Sequence, residues 1–185
     1  MSASLRLAVC GMLLVLLAGC GFELRRPVEL PPQMRTIYVS GGSSIAGDTT
    51  GNLLRYLRRD LATSNTQVVD DPALATSLLK IGGVRQASSL LAIAANGTPL
   101  EYKVSYTVTF SLLVGNAVLI EPQTLVLSRT YDYNVANAIG NQEQEQALYG
   151  AMATDMAQLI VFRVQAAARS NFEPAPTAGT AQGEH

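Results

Sequence analysis

Tyr102-Lys103-Val104-Ser105-Tyr106-Thr107-Val108-Thr109-Phe110-Ser111-Leu112-Leu113-Val114 is the stretch that decides the fold. Tyr102, Val104, Tyr106, Val108, Phe110, Leu112 and Val114 recur at every second position, with Lys103, Ser105, Thr107, Thr109 and Ser111 between them. A period of two sends the two sets to opposite faces of one strand. The apolar set is built for a core. The other set is hydrogen-bonding and, except at Lys103, uncharged.

Working outward, Asn96-Gly97 just before this strand is a hairpin signal. Asn96-Gly97-Thr98 also matches a glycosylation acceptor, a reading that the turn outweighs. Upstream, Leu78 to about Ala94 reads as a long strand with a bulge or bend at Gly82-Gly83, although helix and strand propensities compete over 88–95. Downstream, Gly115-Asn116 begins a connection. Glu121-Pro122 then precedes a strand from Gln123 to about Tyr133, in which Tyr131 and Tyr133 read as core or rim aromatics.

Earlier in the chain, Arg35-Thr36-Ile37-Tyr38-Val39-Ser40 alternates and stops at Gly41-Gly42, the mark of a first strand. From Asp48 to about Ser64 the period becomes helical, with Leu53, Leu54, Leu57 and Leu61 on one stripe. Arg55, Arg58 and Arg59 lie away from that stripe as a solvated face. Val68-Val69 is a brief extended piece, and Asp70-Asp71-Pro72 is a turn. After a loop from Asn134 to Asn141, a second helix runs to about Arg169 on a stripe of Leu148, Met152, Met156, Leu159, Ile160 and Val164. Four strands and two helices over residues 34–171 make the expected class α+β.

The N-terminus reads as a lipoprotein signal. Arg6 is followed by an apolar run from Leu7 to Leu17 and then by Leu17-Ala18-Gly19-Cys20. That run is about a dozen residues, short of the roughly 20 that a helix needs to cross a bilayer. Cleavage after Gly19 would remove residues 1–19 and leave Cys20 carrying an N-acyl chain and an S-diacylglycerol. Two or more chains anchor stably, at about 0.8 kcal/mol per buried methylene. By resemblance to bacterial lipoproteins generally, Gly21 in place of Asp favours the outer membrane over retention in the inner one. Residues 20–33 form an acylated, extended leader rich in proline, and the small, unpatterned stretch 172–185 is expected to be disordered.

Composition narrows the chemistry. The chain has 13 basic and 14 acidic residues for a net charge of −1, which gives no support to nucleic-acid binding. Its charged fraction of 15% falls below the roughly 25% of ordinary domains, consistent with a partner-covered surface or with a taste for small polar residues. Cys10 leaves with the signal and Cys20 is acylated, so no thiol remains for a disulfide, a metal or a nucleophile. The single histidine is His185, in the tail, which removes histidine-based catalysis and imidazole metal sites. No glycine-rich phosphate loop with a following lysine is present. No enzyme, cofactor or metal is expected beyond the covalent lipid.

Signal, lipobox and Cys20-Gly21-Phe22-Glu23-Leu24-Arg25 precede strand, helix, three strands and a long final helix. Together with Asn96-Gly97, Glu101-Tyr102 and Asn141-Gln142-Glu143-Gln144, this order resembles the LPS-assembly lipoprotein LptE (RlpB-type) family over residues 20–170. The resemblance implies two α-helices packed on one face of a four-stranded mixed β-sheet, in an outer-membrane lipoprotein that plugs the β-barrel LptD in a 1:1 pair. That pair inserts lipopolysaccharide into the outer leaflet of the outer membrane. A barrel lumen is polar, so a plug wants an uncharged, hydrogen-bonding exterior; Asn96, Ser105, Thr107, Thr109 and Ser111 are the candidate partner contacts. The family also implies direct lipopolysaccharide contact through basic residues near the hairpin tip and before the last helix. Here those places hold Ala95 and Gly140, and Lys80, Arg85, Lys103 and Arg129 stand in by charge. The alternative is a freestanding envelope ligand-binding or scaffold lipoprotein with another partner.

Overall fold

The computed structural model describes residues 30–41, 52–64 and 66–172. The signal segment, Cys20, the candidate helix caps at Asp48 to Thr50 and the stretch 173–185 lie outside them. The described chain runs β1 (Thr36–Ser40), α1 (Leu53–Ala62), β2 (Gln67–Val69), β3 (Ser77–Ile93), β4 (Pro99–Val114), β5 (Ala117–Asp132) and α2 (Ala138–Phe172).

The sheet has five strands in the order β2-β1-β3-β4-β5, one more than expected. The addition is the Val68-Val69 piece, which pairs in parallel with β1 through Thr36↔Gln67, Ile37↔Val68 and Tyr38↔Val69. Three residues are too few to show a period, but a parallel crossover through α1 delivers them beside β1. β1 also runs parallel to β3, whereas β3, β4 and β5 form an antiparallel meander. The sheet is mixed as expected, and the class is α+β.

The alternation that anchors the sequence reading is realised in β4. Val104, Tyr106, Val108, Phe110 and Leu112 are buried at 1% exposure or less. The register places them beside Leu79, Ile81 and Val84 of β3 and Leu125 and Leu127 of β5. A register shift between Ile81 and Gly83 confirms the bulge, and β3 continues as strand to Ile93 through the ambiguous stretch, with further shifts between Leu90 and Ala92 and between Ala92 and Ile93. At the hairpin, Gly97 takes φ +84° and Asn96 Oδ1 accepts the Thr98 N–H at 3.1 Å.

β5 begins at Ala117, six residues earlier than expected, and incorporates Glu121-Pro122. Proline is tolerated there because β5 is an edge strand, and the shift between Phe110 and Leu112 falls opposite it. From Phe110↔Gln123 to Glu101↔Asp132 the β4–β5 register has no shift.

Both helices cover the buried face of the sheet. In α1, Leu53, Leu54, Leu57 and Leu61 are buried, as the periodicity predicts. Its arginines are partly tied down rather than merely solvated: Arg58 pairs with Asp70 at 2.7 Å and Arg59 with Asp60 at 2.9 Å. α2 buries Met152, Met156, Ile160 and Val164 in one row and Ala153, Ala157 and Val161 in the next, enough width to meet both the sheet and α1. Each large side chain removed from water there contributes about 1.5–3 kcal/mol.

α2 starts at Ala138, inside the stretch expected to be a loop. Asn137 Oδ1 accepts the Gly140 N–H at 3.0 Å, which caps the helix. Asn141 is buried and holds the preceding loop by bonds to both the backbone N–H and the C=O of Asn134, at 3.0 and 2.7 Å. The leader also departs from extension, since Pro32–Met34 makes a 3-10 turn that drops Met34 into the core. Just before it, Leu30 is buried and its N–H reaches the Ser64 carbonyl at 3.4 Å.

Candidate functional site

With the helices on one face, the opposite face of β3, β4 and β5 has no layer over it among the described residues. The register sets its rows: Lys80↔Ser111; Gly83, Thr109 and Thr124; Arg85, Thr107 and Val126; Ala87, Ser105 and Ser128; Ser89, Lys103 and Thr130. Hydroxyls of this ladder bond locally. Thr109 and Thr124 share a hydrogen bond of 3.0 Å, and the Ser105 hydroxyl donates to the Ala87 carbonyl at 3.3 Å. Ser105, Thr107 and Thr109 are partly exposed, while Ser111 is 8% exposed. Ser111 lines a hollow of about 130 Å³ with Lys80, Gly82, Thr109 and Pro122, where the two strand irregularities meet.

The structure brings together most of the residues singled out by sequence and separates two, Arg129 and Asn96. Lys80, Arg85 and Lys103 share this open face with the hydroxyl ladder, and none of the three ion pairs among the described residues includes them. Arg129 sits beside Val104 on the helix-covered face and is ion-paired with Asp155 of α2. Asn96 lies apart at the hairpin tip, its side chain engaged in the turn.

That tip is the second notable surface. Leu90, Leu91, Ile93 and Leu100 are exposed there. The Tyr133 N–H bonds to the Leu100 carbonyl at 2.8 Å, bringing the β5–α2 connection with exposed Val135 and Ile139 alongside. No charged residue occurs from Gln86 to Leu100 or from Tyr133 to Gln142. The family's expected basic positions are therefore replaced by an aliphatic end, with large side chains left in water.

Between the sheet and the first turns of α2 lies a cleft of about 580 Å³, lined among others by Ser88, Tyr131, Tyr133, Gln142, Glu145 and Tyr149. Tyr102 stacks on Tyr131 with ring centroids 5.8 Å apart and tilts against Tyr133 at 5.0 Å. The Tyr131 hydroxyl donates to Glu145 Oε2 at 3.0 Å. Burial first, and the Glu145 carboxylate second, push the Tyr131 hydroxyl up to about 12. The same two causes in the same order raise Tyr149 to about 12. Sequence reasoning noted Tyr131 and Tyr133 but missed the α2 side of this cleft. Its signal is a polar run, Gln142, Glu145, Gln146 and Tyr149, at the helical spacing that Met152 and Met156 continue.

Among the described residues no cluster of three or more metal-ligating side chains occurs, and no helix is long and apolar enough to cross a membrane. What the fold defines is an α+β domain with one sheet face sealed by helices and the other presented as a hydroxyl-rich contact surface. The LptE profile, described as lipopolysaccharide-assembly, matches residues 34–164, more than half of the chain, and the chain belongs to that family.

The LPS-assembly lipoprotein LptE of Yersinia enterocolitica is 28% identical over 152 residues, covering 82% of this chain and 70% of the relative. That of Pectobacterium atrosepticum is 25% identical over 154 residues, covering 83% and 80%. Among solved structures, the uncharacterized lipoprotein B of Nitrosomonas europaea superposes with a TM-score of 0.64 at 26% identity, over 79% of this chain and 91% of that one. The rare lipoprotein B of Shewanella oneidensis shares the fold with a TM-score of 0.60 at 20% identity, over 71% and 94%. The family is one of non-enzymatic envelope lipoproteins, and the chain's role lies in lipopolysaccharide assembly.

Proposed function

We propose that this chain is an outer-membrane lipoprotein, anchored by the acyl chains of Cys20, that plugs and helps assemble the LptD β-barrel for insertion of lipopolysaccharide into the outer leaflet. The observation that carries this reading is the open sheet face. It spans the three longest strands, it is lined by Ser and Thr, and its backbone is held rigid by the meander. A water-lined barrel wall offers hydrogen-bonding partners to such a face, whereas an apolar face would be stranded there. The exposed cations Lys80, Arg85 and Lys103 on the same face supply charge for the phosphates of lipopolysaccharide in direct contact.

The test is photo-crosslinking in cells from Thr107 and Ser105 on the open face, with Arg58 on α1 as the outward-facing control. Crosslinks to the barrel from the sheet positions and not from Arg58 support the plug. A protein extracted in gentle detergent as a lone monomer, with no barrel companion, would overturn it.

A further inference from the structure

α2 is built in two parts. Along its later turns the stripe facing inward is Met152, Met156, Ile160 and Val164, all buried. Along its first turns the stripe continues as exposed Gln142, half-buried Glu145 and exposed Gln146 before it reaches buried Tyr149. Folding alone favours apolar residues on such a stripe, and a local breach of that rule is where binding sites are found. The breach has a spatial counterpart, because the polar turns stand over Tyr131 and Tyr133 across the cleft of about 580 Å³. That volume falls within the range of small-ligand sites.

We propose that this cleft is a binding site for an uncharged saccharide ring of a glycan. The lining fits that class and excludes its rivals. Tyrosine faces offer apolar platforms to the C–H side of a pyranose, and the half-buried Tyr133 ring stands at the rim. The Glu145 carboxylate, fixed by the Tyr131 hydroxyl, and the amide of Gln142 accept and donate to sugar hydroxyls. Among the described residues no lysine or arginine lines the cleft, and the charge there is the negative one of Glu145, so phosphate and other anions are repelled. The Tyr131 O–H is already donated to Glu145, which leaves the hydroxyl oxygen to accept from a sugar hydroxyl. The inference does not depend on the barrel partnership, so either can fail while the other stands.

The glycan could come from lipopolysaccharide or from the cell wall, and the experiment separates these sources. The full chain, solubilised in detergent, is titrated with dephosphorylated core oligosaccharide released from lipopolysaccharide, with a β-1,4-linked N-acetylglucosamine tetramer, and with inorganic phosphate. Amide resonances of 131–133 and 142–149 report binding. Saturable shifts with one of the two glycans and none with phosphate are expected, and the responding glycan names the source. Glu145→Gln should weaken that binding about tenfold, the loss of one charge-assisted hydrogen bond. Tyr133→Ala, at the rim, should weaken it as well, while Arg58→Ala on α1, which does not line the cleft, should leave it unchanged. No saturable shift with either glycan, shifts with phosphate alone, or equal binding by Glu145→Gln and Tyr133→Ala would overturn the proposal.

Discussion

Tyr131 and Tyr149 are tyrosines whose environment can be titrated. Both hydroxyls are raised to about 12 by burial and by Glu145. A tyrosine in the unfolded chain ionises near 10, so the folded state holds the proton more tightly between the two values. The associated stability is fully present below about pH 10 and is lost as pH rises toward 12. The thermal midpoint should therefore fall across that window, and a Tyr131→Phe, Tyr149→Phe double variant should fall less steeply; equal slopes would contradict the coupling. Gly97 is a second residue with a defined cost. At φ +84° a side chain is strained, and Gly97→Val should lose about 1–2 kcal/mol in chemical denaturation.

At the level of elements, legibility followed length and period. β4 was readable because its alternation persists over the whole strand, and α1 because four leucines mark one stripe. β2 escaped because a three-residue strand has no period; only the crossover explains it. The start of β5 escaped because Pro122 reads locally as a breaker, and only its place at the edge makes it acceptable. The opening of α2 escaped because Asn134 to Asn141 is rich in turn formers, and here those residues serve as cap and brace rather than as coil. The candidate cleft shared that fate, since Tyr131 and Glu145 meet only once β5 and α2 are docked. Two substitutions test the helix itself. Met156→Ala, at a fully buried position, should cost about 2–5 kcal/mol. Arg129→Ala removes an ion pair whose side chains are 41% and 47% exposed, and should cost less than about 1 kcal/mol.

For the whole molecule, the asymmetry of the sheet organises the rest. One face carries the core and both helices, and the other carries hydroxyls and exposed cations. Thr107→Glu on the open face should leave stability within about 0.5 kcal/mol of the parent, because it touches no core contact. Under the proposed plug arrangement it should nevertheless reduce the amount of barrel recovered with the protein, a separation of folding from association that a merely structural face would not show. The outer side of β5 adds one more consequence. Its run from Gln123 to Asp132 has no register shift and, among the described residues, no neighbouring strand. A margin of unmet amide groups is a seam that another chain can zip onto. The purified protein should therefore self-associate in a concentration-dependent way, and Val126→Lys, a charge on that seam, should suppress the self-association.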